Sequence, residues 1–280
     1  MAIQTSRPVG LMLREWRERR KLSQLELALE ADVSARHVSF VETGKSRPSR
    51  EMLVHLMERL DIPSRERNRL LLAAGFAPLY PERTLDDPAL QAARAAIERV
   101  LTLQEPFPAL AVYREWSLVA ANRAVGVLTS GIAPKLLRPP VNVLKLSLHP
   151  DGLATRILNL GEWKAHIFDR LRRQIDHTGD PRVAALLAEL TEMPVGDQEK
   201  QTSAEERDES IAGVAIPLRL RSEQGPLSFL TTTMIFGTPL DITLSELAIE
   251  SFFPADARTQ VVLERLGERY RDSTLEGVQP

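Results

Sequence analysis

Apolar residues recur at intervals of three and four along residues 9–75, and this spacing predicts short amphipathic helices in that part of the chain. Serine is favoured immediately before a helix, and serines precede the apolar runs at Ser23, Ser34 and Ser49. Gly44 and Gly75 follow such runs and fit helix ends. Residues 1–76 are therefore predicted to form an all-α domain of five helices.

Two of the predicted helices, over residues 22–43, are joined by a very short turn. Ser23 and Glu26 have the spacing of a capping box, and Asp32 tolerates the left-handed backbone that a tight turn requires. Apolar side chains turn one face of the second helix inward, at Val33, Val38 and Val41. This pattern is typical of a helix-turn-helix, whose second helix enters the major groove of DNA.

The segment resembles the helix-turn-helix of phage-repressor and xenobiotic-response-element regulators. The family pattern appears without a gap, as Ser23-Gln24, Glu26-Leu27-Ala28, Val33-Ser34 and Glu42-Thr43-Gly44-Lys45. The resemblance implies that Gln24 contacts the DNA backbone and that Arg17 forms a structural ion pair with Glu42. Several related repressors carry glutamine where this chain has Ala35 and Phe40, so their base preference does not transfer.

The outward side of the third helix carries the candidates for base contact. Arg36 can donate two hydrogen bonds to guanine, whereas Ala35 or Phe40 can contact the methyl group of thymine. Lys45 and Arg47 suit phosphate contacts, which fix orientation but carry little sequence information. His37 fits a bystander role as well as a contact. The predicted DNA-binding residues are Gln24, Ser34, Ala35, Arg36, His37, Ser39, Phe40, Lys45 and Arg47.

A different pattern begins after the proline-containing residues 76–88. Residues 77–105 are expected to hold a linker and an alanine-rich helix, which fits either a connector between domains or a packing helix of the second domain. Apolar runs on both sides of Arg114-Glu115 then predict a β-hairpin. Residues 142–192 have helical spacing, and the polar residues 194–210 predict a mobile loop.

Three more strands are predicted near the C-terminus, at residues 215–221, 227–236 and 246–253. The first two alternate apolar with polar residues, as antiparallel strands with one buried face do. Two strands, several helices and three further strands predict a five-stranded antiparallel sheet with helices on one side. We therefore expect a PAS-like α+β domain over residues 106–272, and a multidomain protein as a whole.

Motifs spread over nearly the whole chain resemble the MmyB-like regulators. They are Ser49-Arg50-Glu51-Met52, Glu66-Arg67-Asn68, residues 71–78, His149-Pro150-Asp151-Gly152, Phe236-Gly237-Thr238-Pro239 and residues 249–254. In these regulators a helix-turn-helix precedes a ligand-binding domain of PAS-like fold. The resemblance implies a transcription regulator of the same organisation.

Charge is distributed unevenly along the 280 residues. Residues 1–75 hold 14 Lys and Arg against 10 Asp and Glu, whereas the remainder holds 22 against 28. A basic head on an acidic body fits a DNA-binding module attached to another domain. The chain lacks cysteine, and we expect a cytoplasmic protein that needs no membrane, because no secretory or spanning segment is evident.

No catalytic constellation stands out in the sequence, so we expect no enzyme, no cofactor and no metal. Glu250 lies between apolar neighbours on a predicted strand, which fits a polar group of a pocket, although the alternation favours a position that faces solvent. An apolar pocket in the second domain would suit a hydrophobic small molecule, such as one resembling a fatty acid. Its candidate lining residues, for each of which a place in the plain core is the favoured alternative, are Phe107, Trp116, Leu118, Phe229, Met234, Phe236 and Phe252.

The sequence thus predicts a ligand-sensing transcription regulator, expected to be a repressor and a homodimer on double-stranded DNA. Two alternatives remain at this point. The second domain could serve only for dimerisation or partner binding, or it could be an enzyme of unknown type.

Overall fold

The computed structural model describes residues 7–194 and 215–276, with side chains to residue 268. Two compact units are present, the first comprising Met1–Arg83 with Asp176–Thr178 and Pro239–Ser245, and the second comprising the remaining residues. The predicted mobile loop at 194–210 lies outside the described residues from residue 195 onward.

The first unit contains the five predicted helices, and their starts follow from capping side chains. The hydroxyl groups of Ser23, Ser34 and Ser49 each accept a hydrogen bond from the backbone N–H three residues further on. Ser23 and Glu26 form the complete capping box. The helices are α1 (Val9–Arg19), α2 (Gln24–Glu30), α3 (Ala35–Glu42), α4 (Arg50–Arg59) and α5 (Ser64–Ala73).

A single apolar core joins these helices, because each presents fully buried side chains toward the others. Leu13 of α1, Leu27 of α2, Val38 of α3 and Leu53 of α4 are each 0% exposed. The turn before α3 passes through Asp32, whose φ of 50° is the left-handed conformation expected there. The core therefore fixes the angle at which α3 presents its other face to solvent.

The second unit contains the predicted five-stranded antiparallel sheet, in the strand order β2-β1-β5-β4-β3. The strands are β1 (Ala109–Tyr113), β2 (Ser117–Ala121), β3 (Leu218–Ser222), β4 (Gly225–Ile235) and β5 (Leu247–Pro254). The helices are α6 (Gln91–Leu103), α7 (Gly126–Thr129), α8 (Val143–Leu148), α9 (Leu160–Thr178), α10 (Pro181–Glu192) and α12 (Ala257–Glu276). A short helix, α11 (Ile242–Ser245), lies in the segment assigned to the first unit.

Both faces of the sheet are covered, so the expectation of helices on one side only is wrong. Side chains such as Leu110 and Phe229 share a core with α9 and α10 on one face. On the opposite face Ala111 and Ile249 pack in a separate core with Leu101 of α6. The central strands β1 and β5 are therefore buried on both sides, and α6 packs within the second unit.

Candidate DNA-binding surface and ligand cavity

The third helix of the first unit has one anchored face and one free face. Val38 and Val41 are at most 1% exposed, whereas Arg36 is exposed on the other side. Ser34, Lys45 and Arg47 are also exposed, and Ser39 is half-buried. The free face therefore carries hydrogen-bonding and basic groups at the helix start and in the loop after α3.

Phe40 lies between two of these cations. The Arg36 guanidinium carbon is 5.1 Å from the centre of the Phe40 ring, and the Lys45 ammonium nitrogen is 5.7 Å from it. Both distances are within the range of cation–π attraction. The half-buried ring therefore holds both side chains on the free face of α3, a scaffolding role that the sequence analysis did not assign to it.

A buried carboxylate holds the helix-turn-helix together from inside. Glu42, 8% exposed, accepts hydrogen bonds from Nε of Arg17 to Oε1 at 2.7 Å and from Nη2 of Arg17 to Oε2 at 3.0 Å. Arg17 also donates to the Leu22 carbonyl oxygen at 2.6 Å. The hydrogen bond to Glu42 raises the pKa of Arg17 above its usual value. This pair links α1 to the end of α3.

Three of the residues predicted to contact DNA also interact with, or are partly buried by, the rest of the first unit. Gln24 donates from Nε2 to Oε2 of Glu42 at 2.8 Å, so its amide is oriented by the buried pair. Ala35 is half-buried and packs against the core. His37 is half-buried, and within the described residues its buried Nε2 atom has no hydrogen-bond partner.

The second unit encloses a cavity of about 150 Å³ between the sheet and its helices. Most of the lining is apolar, and the chain supplies it from β1, β5, α8 and α9. Representative apolar lining residues are Leu110, Trp116, Leu128, Leu144, Ile167 and Phe252. A mainly apolar cavity with few polar groups is the usual form of a small-molecule site.

Of the seven predicted lining residues, Trp116, Leu118 and Phe252 line this cavity. The other four do not, and the prediction was wrong for them. Phe229 is fully buried core beside Phe252, and Phe107 packs against the outside of the same core. Met234 pairs with Ile249 and Phe236 packs with α6, so both belong to the opposite face of the sheet.

One end of the cavity is polar, and the sequence did not single out Arg170 there. Glu250 is 3% exposed and lines the cavity, so the expectation that it faces solvent is wrong. Arg170 donates from Nη1 to Oε2 of Glu250 at 2.9 Å and from Nη2 to Oε1 at 2.6 Å. The same guanidinium carbon lies 4.4 Å from the Trp116 ring centre. These residues come from α9, β5 and the β1–β2 turn.

His166 also lines the cavity, one helical turn before Arg170. Its ring stacks on Trp163 at a centroid distance of 5.4 Å, and the Trp163 indole donates to the Ser147 hydroxyl at 3.0 Å. Burial, and then the positive charges of Arg170 and Arg173, lower the pKa of His166 below its ordinary value of 6.5. Both effects favour the neutral imidazole.

Residues 149–152, His-Pro-Asp-Gly, form a turn after α8, and His149 and Gly152 stabilise that turn. Nδ1 of His149 accepts a hydrogen bond from the Asp151 N–H at 2.9 Å. A β-carbon at Gly152 would lie 2.2 Å from the Leu146 carbonyl oxygen. His149 is thus occupied in holding the turn.

Within the described residues, no group of three or more His, Cys, Asp or Glu side chains is arranged to hold a metal ion. None of the helices described there combines the length and apolar character that crossing a bilayer requires.

Fold and sites together define a DNA-binding protein of helix-turn-helix type with a cavity-bearing α+β domain. Comparison with known families agrees, since residues 93–266 match the MmyB-like transcription regulator ligand binding domain and residues 13–66 match the helix-turn-helix family. The chain therefore belongs to the MmyB-like transcription regulators.

No curated protein matches the chain. Among solved structures, the chain is similar to the clp gene regulator ClgR from Corynebacterium glutamicum, at 26% sequence identity. That match covers 37% of this chain and 97% of the ClgR chain, with a TM-score of 0.22.

Proposed function

We propose that this protein is a cytoplasmic, sequence-specific transcription repressor that binds DNA as a homodimer and releases it in response to a small, mainly apolar molecule. The free face of α3 carries the proposal. Arg36 is exposed there, on a helix that Ser34 caps and that Val38 and Val41 anchor. Such a rigid, solvent-facing recognition helix is what a major groove admits.

Base and phosphate contacts are assigned to different residues in this proposal. Arg36 would donate to guanine, where a good two-bond contact discriminates against a wrong base by roughly 1–3 kcal/mol. Lys45 and Arg47 would contact phosphates, as would Gln24 at the start of α2. In a homodimer, the two α3 helices would read half-sites about 34 Å apart.

The cavity would make the regulator responsive. A ligand can alter DNA affinity only if it binds the DNA-competent and the incompetent arrangements with different affinity. We assign residues 1–76 to DNA binding and residues 106–272, with α6 packed on their sheet, to ligand binding and dimerisation. The linkage is then the part of residues 77–105 that precedes α6. No catalytic step is proposed for the second domain, in keeping with the family.

The test is a fluorescence-anisotropy titration of the full chain against a duplex from its own promoter region, with a scrambled duplex beside it. Arg36→Ala should lose most of the preference for the promoter duplex. Arg47→Ala should weaken binding to both duplexes and reduce the salt slope by about 1. Arg99→Ala, an exposed position on α6, is the matched control and should bind as the unmodified chain does.

Equal binding of promoter and scrambled duplexes by the unmodified chain would contradict the proposal. So would an Arg36→Ala protein that retains the full preference, because α3 would then not be the reading element. Native mass spectrometry of the same protein tests the predicted homodimer.

A further inference from the structure

The charges at the polar end of the cavity already satisfy one another. Both terminal nitrogens of Arg170 donate to Glu250, at 2.9 and 2.6 Å, and Nη2 donates to the Thr233 hydroxyl at 2.6 Å as well. An entering carboxylate would meet the negative charge of Glu250 and find the guanidinium engaged. An entering ammonium group would meet Arg170 instead. Like charges brought together in a water-poor site strongly oppose binding.

The volume of the cavity limits the size of the ligand that it can hold. Its volume is about 150 Å³, and a cavity of about this size lined by aliphatic and aromatic side chains binds benzene. A tetradecanoate chain is much larger than this space. The space therefore suits a molecule with about one aromatic ring and a short substituent.

His166 supplies the polar contact that such a molecule needs. The ring lines the cavity, and within the described part of the chain its nitrogens make no hydrogen bond. Neutral imidazole offers one N–H donor and one nitrogen acceptor. A hydroxyl or carbonyl group can use either of them without bringing a charge into the cavity.

We propose that the cavity selects a small, uncharged, mainly apolar molecule with one hydroxyl or carbonyl group, which hydrogen-bonds to His166 while the Arg170–Glu250 pair excludes carboxylates. This inference rests on the proposed ligand-sensing function. It assigns a specificity role to three residues, His166, Arg170 and Glu250.

Ligands of matched shape and different charge test the inference on the full chain. Benzyl alcohol, benzoate, benzylamine and toluene share one ring, and tetradecanoate serves as the long-chain probe. Binding is followed by the indole N–H signals of the three tryptophans in ¹H–¹⁵N spectra. Trp116 and Trp163 line the cavity and should shift, whereas Trp16 lies in the core of the first unit and serves as an internal reference.

Benzyl alcohol should bind at least ~10-fold more tightly than benzoate or benzylamine, because a charged probe loses its hydration while the opposite charge of the Arg170–Glu250 pair is already engaged. Glu250→Gln should strengthen benzoate binding by ~10-fold or more, because Arg170 then keeps an unbalanced positive charge beside the cavity. Glu192→Gln removes an exposed carboxylate at the end of α10 and should leave all affinities unchanged.

His166→Phe keeps a ring on Trp163 and removes the hydrogen bond. This variant should bind benzyl alcohol roughly 2- to 10-fold more weakly and should bind toluene with unchanged affinity. If both affinities change equally, the ring has only a packing role and the assignment of His166 is wrong.

Benzoate binding as tight as benzyl alcohol, or binding of tetradecanoate alone, would overturn this inference and leave ligand sensing intact. Absence of any shift at Trp116 and Trp163 with every neutral probe would also overturn it. The DNA titrations described above are independent of these probes, so failure of the regulator proposal is recognised separately.

Discussion

A β-carbon added at Gly10 would lie 2.2 Å from the carbonyl oxygen of Val41, because α1 and α3 pack backbone to backbone at this point. No side chain can relieve that contact, so Gly10→Ala must push the two helices apart. We expect a loss of roughly 1–3 kcal/mol in the free energy of unfolding, as for other overpacking substitutions. Amide hydrogen exchange of α1 and α3 measures the loss within the first unit.

Gly161→Ala is the matched control for that substitution. Gly161 lies at the start of α9, and a β-carbon there meets no atom within 4 Å. This variant should be as stable as the unmodified chain or up to ~1 kcal/mol more stable, because alanine loses less backbone entropy in a helix. If both alanine variants behave alike, the close approach at Gly10 does not constrain α3.

The buried ion pair of Arg17 and Glu42 should contribute far more to the stability of the first unit than an exposed ion pair on α1 does. Their side chains are 9% and 1% exposed, so Arg17→Ala leaves a carboxylate buried without its cation. We expect a loss of roughly 3–5 kcal/mol in the stability of the first unit. The measurement is urea unfolding of the full chain, followed by hydrogen exchange of α1 and α3.

Arg14→Ala provides the comparison for Arg17→Ala. Arg14 pairs with Glu18 one turn away, and both side chains are more than half exposed, at 57% and 51%. Its loss should leave the free energy of unfolding nearly unchanged, because water screens an exposed ion pair. Equal effects of the two alanine substitutions would contradict a structural role for the buried pair.

The two interpretations of Phe40 make different predictions for DNA binding. As the ring that holds Arg36 and Lys45, it contributes ~0.5–1 kcal/mol for each cation. Phe40→Leu should then weaken binding to the promoter and scrambled duplexes by a similar factor. Phe40→Tyr should bind both duplexes with the affinity of the unmodified chain. If Phe40 instead contacts a thymine methyl group, Phe40→Leu should change the preference between duplexes that differ only at thymine. Anisotropy titrations distinguish the two.

The depressed pKa of His166 predicts a pH dependence of stability. In the folded protein this pKa lies below its ordinary value of 6.5, so the unfolded chain binds more protons below that pH. The stabilising contribution is therefore complete above pH 6.5 and is lost as the pH falls through the folded value. His166→Phe should remove this part of the pH dependence, so that the free energy of unfolding changes less as the pH falls below 6.5.

An NMR titration of the His166 imidazole gives the folded pKa directly, and a value above 6.5 would contradict this prediction. Glu105 does not interfere, because its hydrogen bond from Arg123 lowers the carboxyl pKa below 4.5. Stability that depends on Glu105 is lost only at more acidic pH.

The helix-turn-helix could be predicted closely because its signals are local. Ser23, Ser34 and Ser49 cap helices within three residues of themselves, and valines on α3 mark its buried face without reference to distant parts of the chain. Strands β3 and β4 were also predictable, since apolar and polar residues alternate along much of their length.

The polar end of the cavity could not be predicted in the same way. Glu250 lies in a central strand that is buried on both faces, so alternation does not indicate which of its residues meets a cavity. Its partner Arg170 is 80 residues away in the sequence. Met234 and Phe236 were misplaced for a related reason, because apolar residues on both faces of the sheet look alike in the sequence.

Consecutive residues of β5 belong to different environments, since Ile249 packs beside α6 and Glu250 lines the cavity. A strand cannot shift one of its sides and keep the other in place. A bound molecule that displaces Glu250 therefore also shifts Ile249, and with it the packing of α6 on the opposite face of the sheet. Substitutions where α6 packs on the sheet, at positions such as Ile97 and Leu101, should therefore abolish the response to the ligand without touching the cavity.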